Sequence, residues 1–259
     1  MEVFQKEDRA LIIWGKKRWL VDLSRGKFGT HQGEIDLSRV IGQREGFSLP
    51  LGREKAYFFK PTLAESLMRL KRKTQLIFPK DLAAMLMTSG VQKTDKILEA
   101  GTGSGAVLIA LLNLVTEGQI ISVEKNPEFQ ALARDNVARY FGEIPRRVRF
   151  VLADAYQEKS FPLRKHWADR IFLDLPEPWQ ALHLLKYLRP GGFLIVFNPQ
   201  IFQIQKVAVA LKGTFQDISV CEILERKWLV DEERLRPAEL MRGHTGFFLT
   251  ARKILEGQK

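Results

Sequence analysis

The sequence predicts an α/β fold with a doubly wound, mostly parallel sheet of seven strands and a small N-terminal β domain. After residue 90, short apolar strands alternate with helical segments, which is the pattern of a parallel sheet covered by helices on both faces. A glycine-rich turn joins the first of these strands to its helix. The last two strands lack a helix long enough for a parallel crossover, so we expect a terminal antiparallel strand.

The repeating part of the chain gives the predicted order of elements. The predicted parallel strands are residues 96–100, 119–124, 147–153, 169–175 and 192–197. The predicted helices between and after them are residues 105–115, 127–141, 178–188 and 200–212. Strands 217–225 and 245–253 complete the sheet. Ligands bind at the carboxyl ends of strands in such folds, so the sequence predicts a binding site at those ends.

Residues 1–60 are predicted to form the small β-rich domain, because short apolar–polar alternations are separated by glycines. The alternations are Ala10–Trp14, Arg18–Leu23 and Glu34–Val40. Cations interleaved with aromatic rings suit RNA, although an ordinary β core with solvated turns explains the same pattern. These residues are Lys16, Lys17, Arg18, Trp19, Lys27, Phe28 and His31.

Residues 61–90 are predicted to form a helical, basic connector. A short helix over 62–68 precedes the run Arg69–Thr74, in which four of six residues are basic, and Pro79 opens a further helix. The run is either a phosphate contact or a solvated linker. Residues 91–259 are predicted to form the catalytic domain.

Composition narrows the class of protein. No apolar run reaches the ~20 residues of a membrane span, no signal peptide is evident, and the single cysteine, Cys221, leaves no internal disulfide or zinc cluster. We therefore expect a cytoplasmic protein without a metal. The net charge is +11, and residues 1–90 hold 17 Lys and Arg against 10 Asp and Glu. This excess indicates a nucleic-acid partner, or else a solubilising surface.

The glycine-rich turn predicts a nucleotide-type ligand. Residues 97–105 read ILEAGTGSG, and Glu124 ends the next strand 19 residues after Gly105. Glycines let the backbone approach a ligand closely, and a carboxylate at the second strand end can accept both hydroxyls of a ribose. The sequence therefore predicts an adenosine-containing cofactor.

Two further acids favour S-adenosylmethionine over NAD, although the turn also satisfies the dinucleotide pattern G-x-G-x-x-G/A. Glu99 precedes the first glycine and can take up the amino group of a methionine moiety. Asp154 follows the third strand and can accept a hydrogen bond from an adenine amino group. Either acid alone could instead cap a helix or turn, but three acids at successive strand ends weaken that alternative.

The fourth strand ends in the run Asp174-Leu-Pro-Glu-Pro-Trp179. Pro176 and Pro178 stiffen this loop, and Trp179 can wall a pocket or stack on a base. Asp174 lies where the strand order reverses, so it is the candidate catalytic residue. Its alternative role is a helix cap or a contact to the cofactor only.

Four motifs together resemble the TrmI family of tRNA (adenine-N1)-methyltransferases, which are class I, Rossmann-like enzymes that depend on S-adenosylmethionine. The motifs are RKTQLIFPKD at 72–81, LEAGTGSG at 98–105, DLPEPW at 174–179 and GHTG at 243–246. The resemblance spans nearly the whole chain. It implies tRNA as partner, methylation of adenosine 58 in the T-loop to 1-methyladenosine, and a homotetramer.

The same resemblance implies roles for individual residues. Asp174 becomes the acid at the target adenine, where an ionised carboxylate accepting from the exocyclic amine makes N1 more electron-rich. Phe78 stands where bacterial members often have tyrosine, so it can stack on a flipped base but offers no hydroxyl. The implied substrate contacts are Phe78, Trp179 and His244, the last being equally explained by a structural hydrogen bond. The implied cofactor contacts are Gln75, Glu99, Gly101, Thr102, Gly103, Ser104, Gly105, Glu124, Asp154, Ala155 and Asp174.

Three other functions stay open at this point. An NAD-dependent oxidoreductase fits the glycine turn but gives Asp154 and the DLPEPW loop no role. A non-catalytic RNA-binding partner with the same fold would be expected to lose the glycines or the acids, all of which are present here. A methyltransferase acting on another RNA stays open, and one acting on a protein or a small molecule is disfavoured only mildly, by the basic N-terminal third.

Overall fold

The computed structural model describes residues 2–158, 163–230 and 235–255. The chain forms two compact units, residues 1–69 and 70–259. The segment 61–90, predicted as one connector, is divided between them, with its first helix in the first unit and its second helix in the second.

The first unit contains a four-stranded antiparallel sheet in the order β2-β1-β6-β5 and a separate hairpin, β3–β4. Its strands are β1 Arg9–Trp14, β2 Lys17–Asp22, β3 Lys27–Thr30, β4 Gly33–Asp36, β5 Ser48–Leu51 and β6 Glu54–Phe59. The predicted strand Glu34–Val40 is wrong in its second half. The Asp36 side chain accepts the backbone N–H of Ser38, so a 3₁₀ helix, Leu37–Val40, begins there instead.

The core of the first unit is apolar and includes buried aromatic rings. Phe4, Ile12, Leu37 and Phe58 are among its fully buried side chains. Helix α1, Leu63–Leu67, ends the unit and begins with a capping box, in which Thr62 and Glu65 each accept the other's backbone N–H.

The second unit is built on a seven-stranded sheet in the order β12-β15-β11-β10-β7-β8-β9, which confirms the predicted fold class. Every adjacent pair from β9 to β11 is parallel, and β15 is antiparallel to both of its neighbours, as expected for the terminal strand. The strands are β7 Lys96–Ala100, β8 Gln119–Glu124, β9 Val148–Leu152, β10 Ala168–Asp174, β11 Leu188–Asn198, β12 Phe215–Cys221 and β15 Phe247–Lys253.

Helices cover the sheet. They are α2 Pro79–Ser89, α3 Ala106–Leu114, α4 Pro127–Phe141 and α5 Ile201–Ala210. The segment Pro178–Tyr187, predicted as an α-helix, is a 3₁₀ helix. Residues 106–112 of α3 are all buried, which explains why that helix reads as a continuous apolar run. Among the helices of the described residues, none is long and apolar enough to span a membrane.

The sequence did not predict the short hairpin that precedes β15. It consists of β13, Trp228–Val230, and β14, Leu235–Pro237. Six residues in and just after this hairpin are large, apolar and exposed. They are Trp228, Leu229, Val230, Leu235, Leu240 and Met241.

Strand register brings the predicted acids to one edge of the sheet. Ala100 at the end of β7 lies opposite Leu173 of β10 and Val123 of β8. Each next residue therefore emerges at the same level, namely Gly101, Asp174 and Glu124. This edge is the reversal point of the strand order, where a ligand is expected.

Candidate functional site

A cleft of about 450 Å³ opens at this edge of the second unit. Its walls come from the segment before α2, the glycine turn, and the ends of four strands. The lining residues are 74–77, 101–104, 106–107, 123–125, 129, 153–156, 174–176 and 198–200. The cleft thus contains nine of the eleven predicted cofactor contacts, namely Gln75, Gly101, Thr102, Gly103, Ser104, Glu124, Asp154, Ala155 and Asp174.

The glycine turn packs so closely on β10 that Gly101 admits no side chain. Gly101 has a φ of +96°, and a Cβ built there overlaps the backbone carbonyl of Asp174. The amides of Gly101 and Thr102 both donate to the carbonyl of Val123, at 2.9 and 3.2 Å. The backbone of the turn is therefore fixed by β8 and β10 together.

Glu124 is held in place by backbone amides and keeps acceptor capacity toward the cleft. Its Oε2 accepts the N–H of Gly103 at 3.0 Å, and its Oε1 accepts the N–H of Asn126 at 2.9 Å. A carboxylate offers about four lone-pair sites, so two remain for a vicinal diol. This arrangement suits the ribose contact predicted from the sequence.

Glu99 does not line the cleft but connects to its wall. It is buried, and its Oε2 accepts from the Ser122 hydroxyl at 2.5 Å, which in turn is 2.6 Å from the hydroxyl of Thr102. The pKa of Glu99 is raised to about 8, mainly by burial; the Ser122 hydrogen bond lowers it, and the nearby carboxyls of Asp174 and Glu124 contribute to the rise. Its Oε1 is buried without a hydrogen-bond partner. An incoming ammonium would satisfy that atom, so the residue fits the amino group of a methionine moiety.

Asp154 and Gly105, two further predicted cofactor contacts, have different surroundings. The Asp154 Oδ1 accepts the backbone N–H of Tyr156 at 3.0 Å, which orients the carboxylate at the wall of the cleft. Gly105 lies outside the lining. A Cβ at Gly105 would come within 3.3 Å of the Ala133 side chain, so this glycine permits α3 to pack on α4.

Asp174 faces the cleft with its carboxyl uncommitted, because no described residue hydrogen-bonds it. Burial raises its pKa to about 7, and the charge of Glu124 adds to the shift. The loop after it is braced by two neighbours. Asn198 donates to the carbonyls of Leu175 and Pro176 at 2.9 and 3.1 Å, and the Tyr156 hydroxyl accepts the N–H of Glu177 at 3.1 Å.

Two of the three predicted substrate contacts carry a cation over their rings and lie outside the cleft lining. The guanidinium of Arg242 lies 4.5 Å from the ring centroid of Phe78. The ammonium of Lys206 lies 4.6 Å from the ring of Trp179, whose indole N–H donates to Gln203 at 2.9 Å.

His244, the third, bridges two acceptors at the edge of the cleft. Its Nδ1 is 2.6 Å from a carboxylate oxygen of Glu222, and its Nε2 is 2.9 Å from the carbonyl oxygen of Pro199, which lines the cleft. The bond to Glu222 and then that to Pro199 raise the pKa of His244. The hydrogen bond that sequence reasoning offered as an alternative role is therefore present.

Sequence reasoning missed several residues that shape the site. Asn198, Tyr156 and Lys125 line the cleft, and the first two brace the loop that follows Asp174. The sequence does offer a signal for Asn198, because it is a polar residue at the end of a buried strand. Glu99 has a similar position, one residue before the end of β7. The described residues contain no cluster of three or more His, Cys, Asp or Glu side chains that could hold a metal ion.

A glycine turn on the first strand, acids at the following strand ends and a sheet closed by one antiparallel strand define a class I, S-adenosylmethionine-dependent methyltransferase. Residues 55–246 match the family described as the tRNA methyltransferase complex GCD14 subunit. The match covers well over half of the chain, which therefore belongs to this family.

Individual proteins agree with this assignment. The chain is 30% identical to the tRNA (adenine(57)-N(1)/adenine(58)-N(1))-methyltransferase TrmI of Methanocaldococcus jannaschii, covering 91% of each chain. The crystal structure of the tRNA (m1A58) methyltransferase TrmI from Aquifex aeolicus is 28% identical, with a TM-score of 0.86 over 98% of this chain and all of that one. A Thermotoga maritima structure described as a SAM-dependent O-methyltransferase is 32% identical, with a TM-score of 0.89 over 99% and 97% of the two chains.

Proposed function

We propose that this protein transfers a methyl group from S-adenosylmethionine to N1 of adenosine 58 in the T-loop of tRNA, giving 1-methyladenosine. The observation that carries the proposal is the uncommitted carboxyl of Asp174 beside the glycine turn, at the point where an acceptor would meet the cofactor. The family match and the relatives described as adenine-N1 methyltransferases support it.

Residues that line the cleft, together with Glu99 behind its wall, would each contact a different part of the cofactor. Glu124 would hold the ribose hydroxyls, Asp154 and Ala155 the adenine end, and Glu99 the methionine amino group, with Gln75 and the turn 101–105 around them. When bound there, S-adenosylmethionine supplies an electrophilic methyl group on a sulfonium. Glu99, neutral at pH 7 in the free protein, would ionise against the incoming ammonium.

Asp174 acts on the acceptor base. Adenine N1 already carries a lone pair, so it needs alignment more than deprotonation, but its Watson–Crick edge is exposed only once the base leaves its stack. An ionised Asp174 accepting from the exocyclic amine raises the electron density at N1 and stabilises the positive ring formed by methylation. Asn198 and Tyr156 keep this carboxyl in place by fixing the loop behind it.

Two of the proposed substrate contacts adjoin residues at the mouth of the cleft. Phe78 directly follows the lining residues 76 and 77, and His244 is bonded to the lining residue Pro199. Phe78 has no hydroxyl and therefore contributes by stacking alone. Arg242 covers its ring in this structure, so the arginine must share or leave that face when a base arrives.

The first unit offers a surface suited to RNA. Trp14 and Trp19 stack at 6.4 Å between ring centroids, and the Lys17 ammonium lies 5.5 Å from the ring of Trp14. Exposed cations beside aromatic rings bind phosphates and bases without sequence preference. We propose that this face contacts tRNA and, because tRNA is the substrate, that the protein is cytoplasmic.

We also propose that the chain assembles as a homotetramer through the hairpin β13–β14. A two-stranded hairpin is marginally stable by itself in water. This one exposes Val230 and Leu235 by 80% and 68%, so a second copy would bury apolar surface and strand edges together.

Transfer of labelled methyl from S-adenosylmethionine to unmodified tRNA tests the function. We expect the label in 1-methyladenosine after digestion, and a tRNA with guanosine at position 58 should take up none. Sequencing of the product places the label at position 58 or 57. Label in a ribose 2′-O-methyl group would contradict the proposal.

A further inference from the structure

A buried ion pair lies outside the cofactor site and has no part in the functions above. The ammonium of Lys80 is 2.7 Å from the Oδ1 of Asp81, within the first turn of α2. It also donates to the carbonyl of Ile223 and to the hydroxyl of Thr245, both at 2.6 Å. The Thr245 hydroxyl donates in turn to the Oδ2 of Asp81 at 2.7 Å, so Lys80, Asp81 and Thr245 form a closed ring.

The ring is complete in its hydrogen bonding. The side chains of Lys80 and Asp81 are 10% and 1% exposed. All three ammonium protons have acceptors, and Thr245 both accepts and donates. Burying two charges is costly, and the cost is offset only when every partner is in place, so this geometry is narrowly defined. None of the three residues lines the cleft, and the cofactor contacts do not depend on them directly.

The ring and the neighbouring His244 fasten one segment to two parts of the chain beside the cleft. Residues 242–245, here called the rim segment, are tied to the start of α2 through Thr245, and Arg242 covers Phe78 at the same helix end. The rim segment is also tied through His244 to Pro199, a lining residue that follows β11. The two attachments lie on adjacent residues of one short stretch of chain.

We propose that the Lys80–Asp81–Thr245 ring is a positioning device for the acceptor base. It holds the rim segment so that Phe78, His244 and Pro199 form one rigid edge at the mouth of the cleft. The inference rests on the proposed function, because the edge serves a base that enters from outside. Misplacement of reacting groups by about 1 Å can cost ~10²-fold in rate, so a rigid edge matters even without contact to the reacting atoms.

The test is Thr245→Val, which removes the hydroxyl and keeps the shape of the side chain. We expect the single-turnover methylation rate on tRNA to fall about tenfold or more, with the Kd for S-adenosylmethionine changed less than about twofold. Hydrogen exchange of amides 243–246, measured without substrate, should accelerate. Thr245→Ser should restore both values. Thr250→Val is the matched control, since Thr250 is a buried threonine on the nearby strand β15 and lies outside the ring.

Three results would overturn the proposal. One is a wild-type rate in Thr245→Val, and another is a rate loss matched by equal loss of cofactor binding, which indicates general damage. The third is a loss in Thr250→Val as large as that in Thr245→Val. Wild-type protein that makes no 1-methyladenosine would refute the proposed function and with it the acceptor, whereas an active wild type with an unaffected variant refutes only the positioning role.

Discussion

Two carboxyls, the buried Glu99 and the half-buried Asp174, set the electrostatics of the site at the scale of single residues. Their pKa values are raised to about 8 and about 7, in each case mainly by burial. Uncompensated acids of this kind lower stability and are concentrated at functional sites. The ligand and the acceptor would supply the compensation that the free protein lacks.

Replacing Glu99 with Gln should make stability less dependent on pH. The folded protein keeps the Glu99 proton up to pH ~8, whereas the unfolded chain releases it near its usual pKa of about 4.3, so the free energy of unfolding falls as pH rises between these values. Glu99→Gln removes that fall. Urea unfolding at pH 5 and pH 8 should show a gain for the variant at pH 8 relative to pH 5.

The exposed acid Glu143, changed to Gln, is the control for this comparison and should leave the pH profile as in wild type. Parallel profiles for wild type and Glu99→Gln would mean that Glu99 does not carry a raised pKa. The variant should also bind S-adenosylmethionine more weakly, because the amide offers no charge to the ammonium of the ligand.

Replacing Asp174 with Ala should slow methyl transfer and leave tRNA binding nearly unchanged. We expect the single-turnover rate of methyl transfer to fall by ~10²-fold or more, because the carboxylate acts on the charge that develops on adenine. The affinity for tRNA should stay nearly intact, as measured by filter binding. An unchanged single-turnover rate would remove Asp174 from the catalytic role.

At the scale of elements, the contact between the β7–α3 turn and the end of β10 fixes how far the glycine turn lies from Asp174. The register pairs the last residue of β7 with Leu173, so the two following backbones emerge side by side. Gly101 is the point of contact, and its position also sets the distance from the glycine turn to Asp174. A bulkier residue at position 101 must push the turn away from the end of β10.

Gly101→Ala should therefore abolish cofactor binding. The added Cβ would collide with the backbone of β10, which cannot rotate away as a side chain could. Isothermal titration should show a loss of affinity for S-adenosylmethionine of ~10²-fold or more. Gly142→Ala is a matched control, because Gly142 has a similar φ of +82° with no atom within 4 Å of the added carbon. Equal effects of both variants would point to backbone strain alone.

At the scale of the whole molecule, the charge of +11 should appear in the salt dependence of tRNA binding. Changing the exposed residues Lys16, Lys17 and Lys27 together to Gln should weaken tRNA binding and lower the slope of log K against log salt by about one per lost contact. Cofactor affinity should not change. The same loss of charge at exposed Arg146, Lys165 and Lys212 is the control. If both triple variants behave alike, the charge acts non-specifically.

Assembly is the second property of the whole molecule. Val230→Lys places a charge on the exposed hairpin and should shift the sedimentation coefficient from that of a tetramer to a smaller species. Met87→Lys, at a position 83% exposed compared with 80% for Val230, should leave the assembly intact. A wild-type protein that sediments as a monomer would refute the homotetramer itself.

The fold and the cofactor half of the site were largely readable from the sequence. Strands β7 and β8 have the predicted bounds, and Gly101, Glu124 and Asp154 lie in the cleft. These features are local, because a buried strand must be apolar, a tight turn needs glycine, and a polar residue at a strand end reaches the same edge in every parallel sheet.

The part of the site that we propose receives the acceptor base depends on tertiary structure and could not be predicted from the sequence. Thr245 meets Asp81 across 164 residues, and Asn198 braces carbonyls 22 and 23 residues away. No local pattern marks such pairs, because they depend on which strands adjoin and in what register. By itself, the sequence determined the class of fold, the cofactor edge and the candidate acid, since each follows from short-range backbone preference. The rim segment and the bracing of the catalytic loop exist only because the folded sheet brings distant side chains within hydrogen-bond reach.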